Sequence, residues 1–327
     1  MNSKSEILSF LSALLFLNMP VLLPAQEYQN RYAFDLVKTG NGYKIKDEQK
    51  IRALSVLDMD NLPADMFAPY HGARTFILES EYKQCQTRSF VYKTYPDYEL
   101  RLEVDIPPGE GKFPFIMWIH GGGWESGDLY GLEGQSKYLA AHGIAGVRIS
   151  YSLLPQGGNM LKAWADIQDA LTFIRNHAQD LKIDSSTFGF AGHSAGAHLS
   201  AYAAMRVPKT KLLIALNGAY DLEHIQEGFE PKEHHFQFLG KTSEEKRMAS
   251  PVNFVHPQAP FCLLGYSMGD YLVDPTQVER LAARLDKNNV RYELMVKDIY
   301  SHAAFLATDL YEPTLMKMLI TAKTHLK

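Results

Sequence analysis

The sequence has few of the features that define several protein classes. Only two of its 327 residues are cysteines, Cys85 and Cys262, which excludes a disulfide scaffold and a zinc site built from four cysteines. It contains no internal repeat and no low-complexity tract, so solenoids and propellers are excluded as well. The charge is nearly balanced, with 33 basic and 37 acidic residues and a net charge of -4. We therefore expect neither a nucleic acid nor an anionic membrane surface as a partner.

The composition indicates a folded protein with a large core. Hydrophobic residues make up 46% of the chain, which is too many for an intrinsically disordered protein. The length is close to twice that of a typical domain of roughly 150 residues. One large α/β domain with a small addition fits this length as well as two domains do.

The first 25 residues have the pattern of a secretory signal peptide. Lys4 precedes a short apolar run over residues 7–17, which Asn18 and Pro20 interrupt. This run is shorter than the roughly 20 residues that a membrane-spanning helix needs. Ala25 is the small residue expected before a cleavage site. An uncleaved membrane anchor is the alternative interpretation.

Cleavage after Ala25 predicts a periplasmic or secreted protein that has no membrane attachment once the signal is removed. Such a compartment permits a disulfide between Cys85 and Cys262. Cys262 lies in the apolar run 261–264, however, and this position favours a buried free thiol. The sequence leaves the oligomeric state open.

Two regions follow the signal, with different patterns. Residues 26–72 are mixed and polar, and we interpret them as an N-terminal extension with a helix near residues 47–58. Residues 73–327 alternate strands with helices, which predicts one catalytic domain with a mostly parallel, doubly wound α/β sheet and helices on both faces. Ligands of such sheets bind at the carboxyl ends of the strands. The predicted strands are 75–82, 88–95, 98–106, 113–120, 144–151, 187–191, 211–216, 261–266 and 292–296, and the predicted helices are 131–142, 159–179, 194–205, 275–287 and 303–324.

The segment GHSAG, residues 192–196, follows a predicted strand and begins a predicted helix. In this context the G-x-S-x-G pattern predicts a nucleophile elbow, with Ser194 on a tight strand-to-helix turn. A second match, residues 265–269, is followed by the loop sequence DYLVDP rather than by a helix of small residues. It also leaves no room downstream for a separately presented acid before a histidine. We interpret this second match as a turn that ends a strand.

The segment HGGGW, residues 120–124, lies at the end of a strand that is apolar almost throughout. A glycine run at this place allows backbone N–H groups to point into a site as an oxyanion hole. A flexible turn is the alternative. We expect His120 to orient the loop rather than to take part in chemistry.

A reactive serine needs a neighbouring base, and the base needs a carboxylate that holds its tautomer. His302 is the histidine that lies late in the chain between a predicted strand and a predicted helix. Asp270 and Asp274 both follow the strand 261–266. Asp274 precedes a proline and a helix, so capping explains it. We therefore assign the carboxylate role to Asp270 and keep Asp274 as the alternative.

We expect neither a metal site nor a cofactor. His224, His234 and His235 lie in a charged loop, and we predict that they are solvated. The pair of adjacent histidines with Glu233 has the right chemistry for a metal, but we expect adjacent side chains to point apart.

Taken in chain order, HGGGW, GHSAG, Asp270 and His302 resemble the α/β-hydrolase fold. Within that fold they resemble the HGGG-type carboxylesterases, which include hormone-sensitive-lipase-like esterases and secreted polysaccharide acetyl or feruloyl esterases. The resemblance covers roughly residues 98–325 and includes the D-x-x-V context of the acid at 270–273. Tyr266 stands where many members have His-Gly, and this departure leaves the subfamily open.

The resemblance implies that the backbone N–H groups of Gly122, Gly123 and Ala195 form the oxyanion hole. It also implies a serine esterase that transfers an acyl group to water. We expect residues 221–250 to form a cap, and this segment is highly charged with few apolar positions. A cap of this kind favours a short acyl group, acetyl or aromatic, on a polar alcohol such as a carbohydrate. The expected partner is therefore a small-molecule or polysaccharide ester. Aromatic candidates for lining the site, with ordinary packing as an equal alternative, are Trp124, Tyr130, Tyr220, Tyr271 and Phe305.

Other functions remain open at this stage. An arylformamidase or a serine peptidase on the same fold is the first alternative, although such a peptidase usually adds a propeller domain that this chain has no room for. A catalytically inactive, hydrolase-like binding protein is the alternative from another class, since fold alone does not establish activity.

Overall fold

The computed structural model describes residues 36–39, 42–45, 85–225, 233–297, 302–303, 305–306 and 311–327. Within these ranges ten strands form an eight-stranded sheet and a separate antiparallel pair. The strands are β1 (Leu36–Thr39), β2 (Gly42–Ile45), β3 (Gln86–Thr94), β4 (Glu99–Ile106), β5 (Phe113–Ile119), β6 (Ala145–Ile149), β7 (Ile183–His193), β8 (Leu212–Leu216), β9 (Phe261–Ser267) and β10 (Tyr292–Lys297).

The helices of the same ranges alternate with the strands from β5 onward. None of these helices is both long and apolar enough to cross a membrane. The α-helices are α1 (Glu133–Ala141), α2 (Met160–Asn176), α3 (Ala195–Arg206), α4 (Phe236–Leu239), α5 (Ser243–Ala249), α6 (Thr276–Lys287) and α7 (Tyr311–His325).

The large sheet has the strand order β3-β4-β6-β5-β7-β8-β9-β10. β4 pairs antiparallel with both β3 and β6, and every other neighbouring pair in this sheet is parallel. The carboxyl ends of β5, β7, β8, β9 and β10 therefore meet at one edge, which is where such sheets bind ligands. The predicted motifs follow these strands and therefore lie at this edge.

Side chains of β5 alternate between the two faces of the sheet, as the two-residue period of a strand requires. Phe115 and Met117 belong to the core cluster that contains side chains of α2, α3 and α6, whereas Ile116 and Trp118 belong to the cluster with α1 and α7. Helices therefore bury both faces of the sheet. The predicted α/β-hydrolase architecture is confirmed.

A buried ion pair joins β4 to β6 on the antiparallel side of the sheet. Arg148 is 1% exposed, and its guanidinium donates to both carboxylate oxygens of Asp105, at 2.9 and 3.1 Å. Glu103 adds a second carboxylate at 2.7 Å. Asp105 also accepts a hydrogen bond from the hydroxyl of Ser136. Because both charges are compensated, this pair is tolerated in the core.

The predicted elements that fall in the described ranges appear with small shifts of their ends, with one larger difference. The predicted helix 303–324 is wrong over its first part, because Ala303 and the pair 305–306 lie in turns and α7 begins at Tyr311. Pro313 fits a helix that begins there, since proline is tolerated in a first turn but interrupts a helix interior. The predicted helix near 47–58 and strand 75–82 lie outside the described residues.

Both cysteines are free thiols. Cys262 is buried in the core, as its apolar context predicts, and burial raises its pKa well above the ordinary value. Cys85 is half-buried, and burial raises its pKa to about 11. A disulfide between the two is therefore absent from the described fold.

Candidate active site

A cavity of about 480 Å³ opens at the carboxyl edge of the sheet. Its wall contains the glycine loop after β5, the turn between β7 and α3, and residues of the loops after β8, β9 and β10, and the cap adds His235. The predicted site residues that line it are Gly122, Gly123, Trp124, Ser194, Ala195 and His302.

Ser194 lies on the tight turn between β7 and α3. Its backbone has a φ of 57° and a ψ of -125°, a conformation that costs a residue with a side chain roughly 1–3 kcal/mol. The turn is held because the Ser194 amide donates to the carbonyl of Leu216 at 2.9 Å. Gly196 permits this packing, since a Cβ there would lie 1.9 Å from the Ile119 carbonyl oxygen. The strained turn presents the serine at the cavity wall.

His302 and Asp270 form a buried pair behind this serine. His302 Nδ1 lies 2.8 Å from Asp270 Oδ2 and 2.9 Å from Oδ1. The backbone amides of Leu272 and Val273 also donate to Asp270, at 2.9 and 3.0 Å. These bonds fix the position of the carboxylate. His302 Nε2 is buried and has no hydrogen-bond partner among the described residues. The ring therefore donates from Nδ1 and presents Nε2 as an acceptor.

Asp274 has the structural role predicted for it. Its Oδ1 accepts the amide of Thr276 at 2.9 Å, at the start of α6. Burial raises the pKa of the Asp274 carboxyl. Of the two candidate acids, Asp270 is the one that meets His302.

The sequence motifs assign no role to Asn217, which holds Asp270 through a further hydrogen bond. Asn217 directly follows β8, has a φ of 50° and donates from Nδ2 to Asp270 Oδ2 at 2.7 Å. Its own amide donates to the Gly265 carbonyl at 2.7 Å. The available signal was a polar residue immediately after the apolar run 212–216.

His193 is a second residue that the motifs left without a role. Its Nε2 donates to the His302 carbonyl at 2.8 Å, and the two ring centroids are 4.7 Å apart. Burial, together with the nearby His302, lowers the His193 pKa to about 3. A neutral His193 therefore positions the loop that carries His302.

The glycine loop runs directly against the serine turn. A Cβ on Gly121 would lie 3.2 Å from the Ser194 Cβ, so the loop passes close to Ser194. Gly122 has a φ of 114°, which favours glycine. Its carbonyl accepts the amide and the hydroxyl of Ser126, both at 3.0 Å. The loop is therefore a fixed turn, which disfavours the flexible-turn interpretation.

His120 orients this loop, as predicted. Its Nδ1 donates to the Gly121 carbonyl at 2.8 Å, and its ring stacks on Tyr151 with centroids 4.6 Å apart. Burial lowers the His120 pKa. The imidazole is thereby kept neutral as a hydrogen-bond donor to the loop.

Trp124 is the one predicted aromatic residue that the cavity wall contains. Its Nε1 donates to His198 Nδ1 at 3.1 Å, and its ring packs against Phe238 of α4. His198 is buried, which lowers its pKa to about 4 and keeps the Nδ1 acceptor neutral. Trp124 therefore joins the glycine loop to the cap.

The structure places the other four predicted aromatic residues away from the wall. Tyr220 is fully buried, with its amide donating to Gln277 Oε1, and Phe305 belongs to the core on the α7 side. Tyr130 is 51% exposed. Tyr271 is half-buried and does not line the wall, whereas Leu272 and Val273, the two residues that follow it, do. An aromatic residue after a strand is expected near the site, but its rotamer decides whether the side chain lies in the core, in solvent or at the cavity.

The wall residues that the sequence did not identify include Glu125, His235, Leu272, Val273 and Leu306.

His224 and His234 are exposed, as predicted, and His235 is the cap histidine that differs from its prediction. His235 is 5% exposed rather than solvated, and its ring packs edge-on against Trp124. His234 and His235 also do not point apart, because their ring centroids are 4.0 Å apart. Both approach Glu125 of the glycine loop, at 2.9 Å and 3.6 Å. His224 instead pairs with Asp221 at 2.9 Å.

Comparison with known families identifies the chain. Residues 102–285, more than half of its length, match the family model BD-FAE. The chain belongs to the BD-FAE family. This is an esterase family of the α/β-hydrolase fold, and the matched segment of this BD-FAE member contains the glycine loop, the serine turn and Asp270.

Relatives of this BD-FAE protein include two curated proteins. The chain is 25% identical over 253 residues to the probable isoprenylcysteine alpha-carbonyl methylesterase ICMEL2 of Arabidopsis thaliana, covering 68% of this chain and 58% of that protein. It is 30% identical over 149 residues to the kynurenine formamidase of Drosophila melanogaster, covering 42% and 47%. The chain thus spans about half the length of the curated relatives that it matches.

A solved structure shares the fold. A truncated carbohydrate esterase from gut microbiota superposes with a TM-score of 0.62 at 18% identity, covering 74% of this chain and 98% of that chain. This likeness shows the architecture, and it carries no residue roles.

Proposed function

We propose that the protein is a serine carboxylesterase with Ser194, His302 and Asp270 as its catalytic triad. The observation that carries this proposal is the buried His302–Asp270 pair, at 2.8 Å. His302, whose Nε2 has no hydrogen-bond partner among the described residues, lines the same cavity as Ser194 on its strained turn. A nucleophile, a base and a group that orients the base are the three parts that acyl transfer to serine requires.

In the proposed reaction, His302 Nε2 takes the proton of the Ser194 hydroxyl as its oxygen attacks an ester carbonyl carbon. Asp270 stays ionised and stabilises the imidazolium that forms. The His302 proton then moves to the leaving alcohol, and the acyl group remains on Ser194. Water, deprotonated by the same histidine, releases the carboxylic acid and restores the serine.

The oxyanion of each tetrahedral intermediate would accept hydrogen bonds from backbone amides. We assign these donors to Gly122 and Gly123 in the glycine loop and to Ala195 at the start of α3. All three residues line the cavity beside Ser194. Ala195 is the first residue of its helix, where unpaired N–H groups and the helix dipole favour negative charge.

We propose short acyl groups on a polar alcohol, with carbohydrate esters as the substrate class. A cavity of about 480 Å³ lies in the lower half of the roughly 300–1,000 Å³ of ligand pockets. The gut-microbiota neighbour is a carbohydrate esterase by its description.

Turnover of p-nitrophenyl acetate by purified wild type and Ser194→Ala tests the mechanism. The variant should lose about 10⁶-fold in kcat, as expected when a triad nucleophile is removed. Ser267→Ala is the matched control, since Ser267 belongs to the second G-x-S-x-G match. Full activity in Ser194→Ala would exclude the assignment. Acetylated xylan, feruloylated sugars and p-nitrophenyl esters of increasing chain length then define the substrate.

Arylformamidase activity is the second candidate, and the Drosophila relative at 30% identity over 149 residues favours it. The same triad attacks a formamide carbonyl as it attacks an ester. N-formylkynurenine in the substrate panel separates the two activities. A kcat/KM for N-formylkynurenine that exceeds the value for every ester would favour the formamidase.

We also propose export of the protein with removal of the first 25 residues, on the pattern around Lys4 and Ala25. N-terminal sequencing of the protein recovered from the periplasm or medium tests this. A mature chain that starts near Gln26 supports cleavage, and an intact Met1 in a membrane fraction supports the anchor alternative.

A further inference from the structure

Three side chains with metal-binding atoms meet at the rim of the cavity. Glu125 comes from the glycine loop, and His234 and His235 come from the cap. One carboxylate oxygen and one nitrogen of each ring all lie within 4.8 Å of one another. His234 Nε2 is 2.9 Å from Glu125 Oε2, and His235 Nε2 is 3.6 Å from Oε1. This is a cluster of two imidazoles and one carboxylate.

The spacing fits a tetrahedral metal ion. Zinc binds imidazole nitrogen at about 2.0–2.1 Å and carboxylate oxygen at about 2.0–2.2 Å, so two ligand atoms at a tetrahedral angle are about 3.4 Å apart. The distance from His234 Nε2 to Glu125 Oε2 is 2.9 Å, and the distance from His235 Nε2 to Glu125 Oε1 is 3.6 Å. These two distances lie on either side of this value. Two imidazoles and one carboxylate form a ligand set that zinc uses with its fourth position open.

The surroundings restrain parts of the cluster from both sides of the cavity rim. On the loop side, the Glu125 amide donates to the Gly122 carbonyl at 3.1 Å and holds the backbone of this residue. On the cap side, the ring of His235 is buried against Trp124, which also packs on Phe238. A ligand that packing has already ordered, as it has ordered His235, loses little freedom when it binds an ion.

We propose that Glu125, His234 and His235 bind a divalent transition metal of the zinc class. An ion there would bridge the cap and the glycine loop at the entrance of the cavity. Imidazole ligands suit zinc, nickel and copper, whereas magnesium prefers oxygen ligands alone. The site is therefore selective for the first group. This inference is independent of the esterase proposal, because the metal takes no part in the triad.

Calorimetric titration of the full, chelator-treated protein with ZnCl₂ tests the site. The proposal predicts one tight equivalent for the wild type and no comparable binding of MgCl₂. Glu125→Gln and His234→Gln should each weaken zinc binding about 100-fold or more, since loss of even an outer-shell partner costs roughly 10–100-fold. CoCl₂ gives a second readout, because tetrahedral cobalt absorbs visible light and both variants should lose this absorption.

His224→Gln is the matched control, because His224 also pairs with a carboxylate, Asp221 at 2.9 Å, but belongs to no metal-binding cluster of the described residues. Zinc affinity should be the same in this variant as in the wild type. Circular dichroism checks that each variant is folded. If His234→Gln is unfolded, the zinc affinity of Glu125→Gln alone decides the test. Absence of binding in the wild type would reduce the cluster to an imidazole–carboxylate contact and overturn the proposal. Equal binding in Glu125→Gln and wild type would place the ion elsewhere and overturn it as well.

Discussion

His302 Nδ1 lies 2.8 Å from Asp270 Oδ2, and this contact joins the loops after β9 and β10 behind the serine turn. Asp270 is held in turn by Asn217 Nδ2 at 2.7 Å. The acid therefore has a fixed orientation before any substrate enters. In the proposed mechanism this arrangement selects the histidine tautomer that can accept the serine proton.

Replacing Asp270 by asparagine should abolish most activity while the protein stays folded. The amide favours the wrong tautomer of His302, and the equivalent change in a serine protease triad lowers kcat about 10⁴-fold. Steady-state kinetics on p-nitrophenyl acetate measures the loss. Asp274→Asn is the control, because its remaining oxygen can still accept the Thr276 amide. Greater loss in Asp274→Asn than in Asp270→Asn would contradict the assignment.

The serine turn should reject any side chain at Gly196. A Cβ there would lie 1.9 Å from the Ile119 carbonyl oxygen, and backbone atoms of two packed elements have little room to move. Gly196→Ala should therefore lower the free energy of unfolding by about 3 kcal/mol or more. At Gly131 the nearest atom to an added Cβ is 3.5 Å away, so Gly131→Ala should change stability by less than about 1 kcal/mol. Urea unfolding of both variants provides the comparison, and similar values for the two would show that the turn is not constrained.

Removing one partner of the buried pair Asp105–Arg148 should lower the free energy of unfolding. Asp105→Ala leaves the Arg148 guanidinium in the core with Glu103 at 2.7 Å and Glu133 at 3.9 Å. Because these carboxylates still compensate part of the charge, the loss should lie near the lower end of the roughly 3–5 kcal/mol that a broken buried pair costs. The pair Lys93–Asp169, at 2.7 Å and with an Asp169 side chain that is 51% exposed, is the control. Asp169→Ala should cost less than about 1 kcal/mol, because water screens the exposed Asp169 carboxylate. Equal losses in thermal or urea unfolding would be inconsistent with this account.

Stability should fall as the pH rises through the range in which Glu279 ionises. Glu279 is 4% exposed, and neither of its carboxylate oxygens has a hydrogen-bond partner among the described residues. Burial, with the charge of Asp274, raises its pKa to about 8 from an ordinary 4.5. Between these values the folded state holds a proton that the unfolded state has released. The free energy of unfolding therefore decreases with pH across this window.

Glu279→Gln removes this dependence because glutamine does not ionise. Urea unfolding at pH 5 and pH 9 should show similar stability for the variant and the wild type at the lower pH. At the higher pH the variant should be more stable. A wild type that loses no stability relative to the variant between these values would show that Glu279 does not carry the effect.

The main architecture and the contact between Asp270 and His302 were accessible from the sequence because both depend on local patterns. Apolar runs mark the buried strands, and the residues Ser194, Asp270 and His302 each follow one of these strands. The parallel arrangement brings the carboxyl ends together, so position along the chain was enough to predict a shared site.

The supporting residues were not accessible because their roles depend on rotamers and on contacts between distant segments. Asn217 and His193 act through Asp270 and the His302 loop, and a polar residue beside a motif has no distinctive pattern. Tyr220 is an aromatic residue that follows a strand, as a wall residue would, but its side chain is buried in the core. His234 and His235 approach Glu125, which lies 109 residues before His234 in the chain. The sequence does not reveal a contact between segments so far apart.

Covalent labelling with a fluorophosphonate probe tests directly whether Ser194 is an activated nucleophile. The probe reacts with a serine only when a base activates it, and peptide mass spectrometry identifies the modified residue. We expect one adduct on Ser194 in the wild type, little labelling in His302→Ala, and none in Ser194→Ala. Absence of labelling in the folded wild type would favour an inactive, hydrolase-like binding protein. An adduct on Ser267 in place of Ser194 would contradict the proposed nucleophile.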